Sequence, residues 1–189
     1  MTDYWALPIG DGWPHRFHAV VEVPKGSQNK YEYDKTLNVF RLSRTLFSPV
    51  HYPGDYGFIP STLADDGDPL DVLILVDEPS FPGCILTVRP IGLLDMLDQG
   101  ERDEKVLAVP VDNPRYDGIQ SYRDVFPHML REIEHFFRIY KELEGKTVVT
   151  RGWRDVTEAL RAVEACHRNF QRIRSVGLPS GRDPKGGSS

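Results

Sequence analysis

Cysteine is scarce in this chain, long apolar runs are missing, and positive charge is in deficit. Only two cysteines occur, Cys84 and Cys166. Their spacing fits neither a zinc nor a redox motif, so both are expected to be reduced packing residues, Cys166 on the apolar side of a helix. No apolar run approaches the ~20 residues a membrane span requires. Met1 to Trp13 carries neither the basic region nor the apolar stretch of an export signal. A cytoplasmic location with no membrane partner is therefore expected. The formal net charge of −5 lacks the basic footprint of a nucleic-acid binder. No nucleic-acid partner is expected, and binding any polyanion would need metal help.

What is present is an ordinary globular composition, 40% hydrophobic and 27% charged, in 189 residues. That length allows one domain with a self-sufficient core, expected over 1–176. The Gly-, Ser- and Pro-rich end, 177–189, reads as a flexible tail. Short β-rich runs are expected at Phe17 to Val23, Lys30 to Asp34, Asn38 to Leu42 and Asp71 to Val76. Two more, Ile85 to Leu94 and Lys105 to Val111, flank a charged stretch from Asp95 to Glu104 that reads as a long polar hairpin tip. After Pro127 the period changes. Leu130, Ile133, Phe136, Phe137 and Tyr140 mark a helical face that Gly145 would stop. A second helix is expected from Trp153 or Asp155, with Asp155 as cap and Val156, Ala159, Leu160, Val163 and Phe170 on one side. Strands followed by two helices predict an α+β domain, and closing the strands into a barrel would remove exposed edges.

The densest chemical signal is Asp65-Asp66-Gly67-Asp68-Pro69-Leu70-Asp71, just before the apolar run Val72 to Val76. If it is extended, Asp66 and Asp68 project from one side. Hard cations such as magnesium prefer carboxylate oxygens and keep several waters. The same stretch reads equally as an acidic turn. It is not an EF-hand loop: counting from Asp66, Asp71 stands where that loop requires glycine. Asp98, Asp103 and Lys105 form a second group that alone reads as a solvated loop. Glu22, Lys30 and Glu32 form a third, where a cross-strand ion pair is the plainer reading. Arg44, Tyr52 and Tyr56 precede the aspartates. Tyr140 and Lys141 end the first helix, where a lysine also suits the helix dipole.

Taken in order, these pieces resemble family I soluble inorganic pyrophosphatases of the bacterial type, over Phe17 to about Phe170. Asp66 to Asp71 is similar to that family's D-G-D-P-x-D motif, and the remaining groups match in order and spacing. The resemblance implies a five-stranded, OB-like closed β-barrel with two main flanking helices. It implies pyrophosphate as substrate and three to four Mg2+ per site. By the same resemblance Asp66, Asp71, Asp98 and Asp103 hold metal, with Glu22 and Glu32 acting mainly through waters. Asp68 is the base that takes the proton of the attacking water. Lys30, Arg44, Lys105, Tyr140 and Lys141 hold phosphate oxygens, and Tyr56 supports them. A homo-oligomer is implied, with a hexamer favoured. Seven of these side chains are carboxylates and four are cations, a net charge of three negative that would repel pyrophosphate without metal.

Three departures stand out: Gln99 where relatives commonly carry Glu, Asp55 where Asn is frequent, and Ile139 in place of a second histidine. The first two put metal affinity and pH optimum in question, the third the assembly. Two rival readings remain at this stage: a hydrolase of another phosphoanhydride, such as a nucleotide, and a non-catalytic acidic binding module. The second leaves the placement of Lys30, Arg44, Lys105 and Lys141 without a purpose.

Overall fold

The structure is a computed structural model that describes residues 2–176; the tail expected over 177–189 lies outside the described residues. In chain order the strands are β1 (Phe17–Val23), β2 (Asn29–Asp34), β3 (Val39–Thr45), β4 (Asp55–Phe58), β5 (Asp71–Ile74), β6 (Ile85–Asp98), β7 (Glu101–Arg102) and β8 (Lys105–Pro110). Helix α1 (Pro127–Ile139), strand β9 (Val148–Arg154) and helix α2 (Val156–Val176) follow. This is a mixed α+β architecture with a largely sheet core and two main helices.

Five strands pair in a circuit. β1 pairs with β4, β4 with β5, β5 in parallel with β8, β8 with β6, and β6 returns to β1. Each of the five thus has a neighbour on both sides, which satisfies its backbone and leaves no edge among them. β7 and β9 extend from the far half of β6, and β2–β3 form a separate hairpin.

The near-continuous apolar runs of β5 and β8 follow from burial on both faces. Leu73, Leu107 and Val109 join Ile133, Phe136 and Phe137 of α1 in one cluster. Their neighbours Val72, Ile74, Val106 and Ala108 turn the other way and join Ala159 and Val163 of α2 in a second. The two-residue strand period therefore divides each run between two cores, one under each helix.

The expected strands are found, with their ends shifted, and four elements differ from expectation. β4 lies inside the Gly- and Pro-rich segment that the sequence marks as loop, and all four of its residues are buried. Gly57 makes it possible: a Cβ there would lie 1.9 Å from the Val20 carbonyl oxygen, so only glycine lets β4 approach β1. Asp95 to Asp98 belong to β6, and the hairpin tip is only Gln99-Gly100, with φ of 51° and 87°. β6 can run that far because buried Asp95 pairs with Arg151 and Arg154 of β9, both at 2.8 Å. Trp153 lies in β9 and not in the second helix; α2 starts at Val156, where Asp155 Oδ1 accepts from the Glu158 backbone N–H. Gly145 does not stop α1, which ends at Ile139. It closes a separate one-turn helix, Glu142–Glu144, at φ of 72°.

Candidate active site

The ends of several strands deliver the charged residues to one region. β5 and β8 run parallel with Asp71 opposite Lys105, so the first residue of each arrives at the same level. Lys105 is 2% exposed, and its ammonium bridges Asp71 Oδ2 and Asp103 Oδ1. Burial alone would lower the pKa of this amine, but the two carboxylates outweigh it and hold it above the ordinary lysine value. Tyr56 of β4 donates its hydroxyl to the same Asp71 oxygen at 2.7 Å. Burial, then Asp71 and Asp103, raise the Tyr56 phenol far above its usual value, so it remains a donor.

Asp66 shares a cavity of about 220 Å³ with Asp71 and Asp103, the opposite wall being α2 around Ala162 and Cys166. Its carboxyl is raised by burial, with Asp68, Asp71 and Asp103 adding to the shift. Asp66 to Asp68 is a turn and not the extended segment considered above: Asp66 Oδ1 accepts from the Asp68 N–H at 3.0 Å and Gly67 has φ of 89°. The Asp68 side chain is consequently 71% exposed, and Lys35, from the turn between β2 and β3, meets it at 2.8 Å. Lys35 also lies 4.2 Å from the Trp5 ring.

The other expected residues fall into pairs. Lys30 and Glu32, on one face of β2, meet at 2.6 Å. Burial opposes ionisation of Glu32, but Lys30 prevails and lowers its carboxyl below the usual value. Glu22 at the end of β1 accepts from the Tyr33 N–H at 2.7 Å. Asp98 pairs with Lys141 through Oδ2 while its Oδ1 is buried without a partner. Tyr140 is 4% exposed against Phe136 and Phe137. Arg44 donates from Nε to Glu144 Oε1 at 2.7 Å. Sequence reasoning singled out neither Lys35 nor Glu144, because each lies far along the chain from its partner and no local pattern marks it.

Of the departures, Asp55 is fully buried and accepts from the Lys25 N–H and from the N–H and hydroxyl of Ser80, so it anchors a loop. Gln99 is an exposed turn residue whose N–H donates to the Thr147 carbonyl.

Burial is the chief reason that the Glu22 carboxyl is pushed up to about 8, against an ordinary 4.5; the Tyr33 hydrogen bond opposes the shift and Asp71 adds to it. The folded chain then binds a proton that the unfolded chain has lost. Glu22's contribution to stability is full below about 4.5 and is lost as pH rises through 8. In metal-free buffer the melting temperature is expected to fall between about pH 5 and about pH 8.5, and less so in Glu22→Gln. Equal falls in the two proteins would contradict this burial effect.

The donor set fits a hard divalent cation. Every candidate ligand offers carboxylate oxygen, and Asp98 Oδ1 is a buried acceptor lacking a donor. As arranged, Lys105 pairs with Asp71 and Asp103, and Lys141 with Asp98. Among the described residues, no group of three or more His, Cys, Asp or Glu side chains stands ready to hold an ion. Asp71 and Asp103 each turn one oxygen to Lys105, and the second oxygen of each would be the one to meet an ion.

A family model described as "Inorganic pyrophosphatase" matches residues 19–171. The chain is 54% identical over 154 residues to an inorganic pyrophosphatase of Synechocystis sp., covering 82% of this chain and 91% of that one. It is 51% identical over 166 residues to one of Haloferax volcanii, covering 87% and 94%. The crystal structure of inorganic pyrophosphatase from Thermus thermophilus superposes with a TM-score of 0.88 at 48% identity, covering 90% of this chain and 99% of that chain.

Proposed function

The chain belongs to the inorganic pyrophosphatase family, hydrolases of the phosphoanhydride bond, and from that membership we propose that its carboxylate cluster hydrolyses pyrophosphate to two phosphates with Mg2+. The observation that carries the site assignment is the meeting of Asp71 and Asp103 on buried Lys105, with Asp66 on the same cavity wall. Asp66, Asp71 and Asp103 would hold one ion, with Asp71 shared by a second, and Asp98 and Asp103 would hold a third. Glu22 and Glu32 would act through waters, for a total of three to four ions. When bound, these ions neutralise substrate charge and lower the pKa of a coordinated water.

The chain's own residues divide the remaining work. Asp68, on its exposed turn, takes the proton as the water oxygen attacks phosphorus and the bridging P–O bond breaks. Lys30, Arg44, Lys105, Tyr140 and Lys141 bind phosphate oxygens and stabilise the charge that grows on them. Tyr56 holds Asp71 in place by its hydrogen bond. The closed pairing circuit of β1, β4, β5, β8 and β6 supports reading the sheet as an OB-like barrel, a rigid frame for residues arriving from five strands.

No helix among the described residues is long and apolar enough to cross a membrane. A cytoplasmic, homo-oligomeric enzyme, with a hexamer favoured, is the accompanying proposal. Exposed Phe126 and Met129 at the start of α1 offer apolar surface for such contacts.

Phosphate release by the pure protein with magnesium is expected from pyrophosphate, and slower from ATP by at least about 100-fold, since among the described residues the aspartate cavity is lined by no aromatic ring on which a base could stack. Comparable rates on the two substrates would overturn the assignment of substrate.

A further inference from the structure

Arg44 and Glu144 are 100 residues apart in sequence yet form one of the best-buried ion pairs in the protein. The Glu144 side chain is 9% exposed and that of Arg44 is 22% exposed. The pair uses only Nε of the guanidinium, while Arg44 Nη2 is buried with no hydrogen-bond partner. A buried charged donor left without an acceptor is costly, and native proteins keep few of them without a reason. We propose that Glu144 is a positioning residue that fixes the Arg44 guanidinium so that its free edge meets a phosphate oxygen of the substrate. This rests on the pyrophosphatase reading of the site, in which Arg44 touches substrate and Glu144 does not.

Local geometry makes Glu144 suited to the task. It closes the one-turn helix that begins directly after Tyr140 and Lys141, the two other phosphate-binding residues of this segment. The turn is rigid: Glu144 N–H donates to the Lys141 carbonyl at 3.0 Å, Gly145 N–H to Glu142 at 2.9 Å and Lys146 N–H to Lys141 at 3.2 Å. The segment that follows β3 is tied to the end of α1, since the Ser48 hydroxyl donates to the Ile139 carbonyl at 3.1 Å. Arg44 also lies within electrostatic reach of Tyr140, Tyr52 and Glu32, which puts it among the site residues. A guanidinium is a planar fork whose donors keep fixed relative directions. A carboxylate bound at Nε therefore sets the direction of Nη2 as well. Lys146, 3.9 Å from the second Glu144 oxygen, leaves that carboxylate with a weaker second partner.

The test is a double-mutant cycle on pyrophosphate hydrolysis, with the melting temperature recorded for each protein. Glu144→Ala is expected to lower kcat/KM by about 10- to 100-fold, the usual scale for removing a group that orients a ligand-binding residue. Glu144→Gln keeps an acceptor for Nε, and its loss should be smaller than that of Glu144→Ala. In an Arg44→Ala background neither substitution should lower kcat/KM further, because nothing is left to orient. Equal losses in both backgrounds, or no loss in a folded Glu144→Ala protein, would overturn the proposal. A folded Arg44→Ala protein with undiminished kcat/KM would instead remove Arg44 from the site, and Glu144's role with it. Absence of phosphate release by the unaltered protein would refute the pyrophosphatase reading itself.

Discussion

Asp68→Asn is expected to lower turnover by at least the ~10²-fold typical of losing a general base, with metal binding largely retained. The structure makes this a clean substitution. Asp68 is 71% exposed on a turn, so exchanging one carboxylate oxygen for an amide disturbs no core packing. The turn itself is held by Asp66 Oδ1 and the Asp68 backbone N–H, neither of which the substitution touches. What is lost is the ability to accept a proton, along with the charge that pairs with Lys35. An exposed ion pair of this kind contributes at most about 1 kcal/mol, too little to account for a hundredfold loss. Steady-state phosphate release, alongside calorimetric titration with magnesium, separates the two effects. Turnover near that of the unaltered protein would remove Asp68 from the mechanism.

Stripping divalent ions with a chelator is expected to lower phosphate release by on the order of 10³-fold or more, the several kcal/mol of transition-state stabilisation such ions supply. Magnesium should restore it. The reason lies in the balance of charge. Lys105 and Lys141 bring two positive charges against the three carboxylates of Asp71, Asp103 and Asp98, and Asp66 lies on the same cavity. A pyrophosphate anion entering that field meets repulsion unless cations enter with it. The same ions should raise the melting temperature in proportion to the logarithm of their concentration above the dissociation constant. Undiminished phosphate release at full chelation would refute the metal assignment.

How much of this was legible beforehand differs by element. α1 could be read because Ile133, Phe136 and Phe137 repeat at helical spacing and meet one core. The six expected strands could be read because β-forming residues cluster there between turn-forming ones, although their ends are shifted. β4 could not: its sequence, Asp-Tyr-Gly-Phe, has the look of a turn, and it is a strand only because β1 and β5 flank it. β9 was hidden because Gly152, at φ of 91°, interrupts its pattern opposite an irregularity in β6 at Asp95. The far half of β6 looked like a polar tip because Asp95 reads as a surface charge until Arg151 and Arg154 come to it.

The sequence by itself determined the kinds of chemistry available: hard oxygen donors in excess of cations, a net negative charge, and motif spacing specific enough to indicate a family. Those properties are local, set by composition and by neighbours a few residues apart. Only the tertiary structure decided which charges neutralise one another. Lys105 lies between Asp71 and Asp103, and Glu144 secures Arg44, because strand pairing and a helix end bring distant segments within a few ångströms. Electrostatic energy depends on distance and burial, and neither is written in the order of residues along the chain.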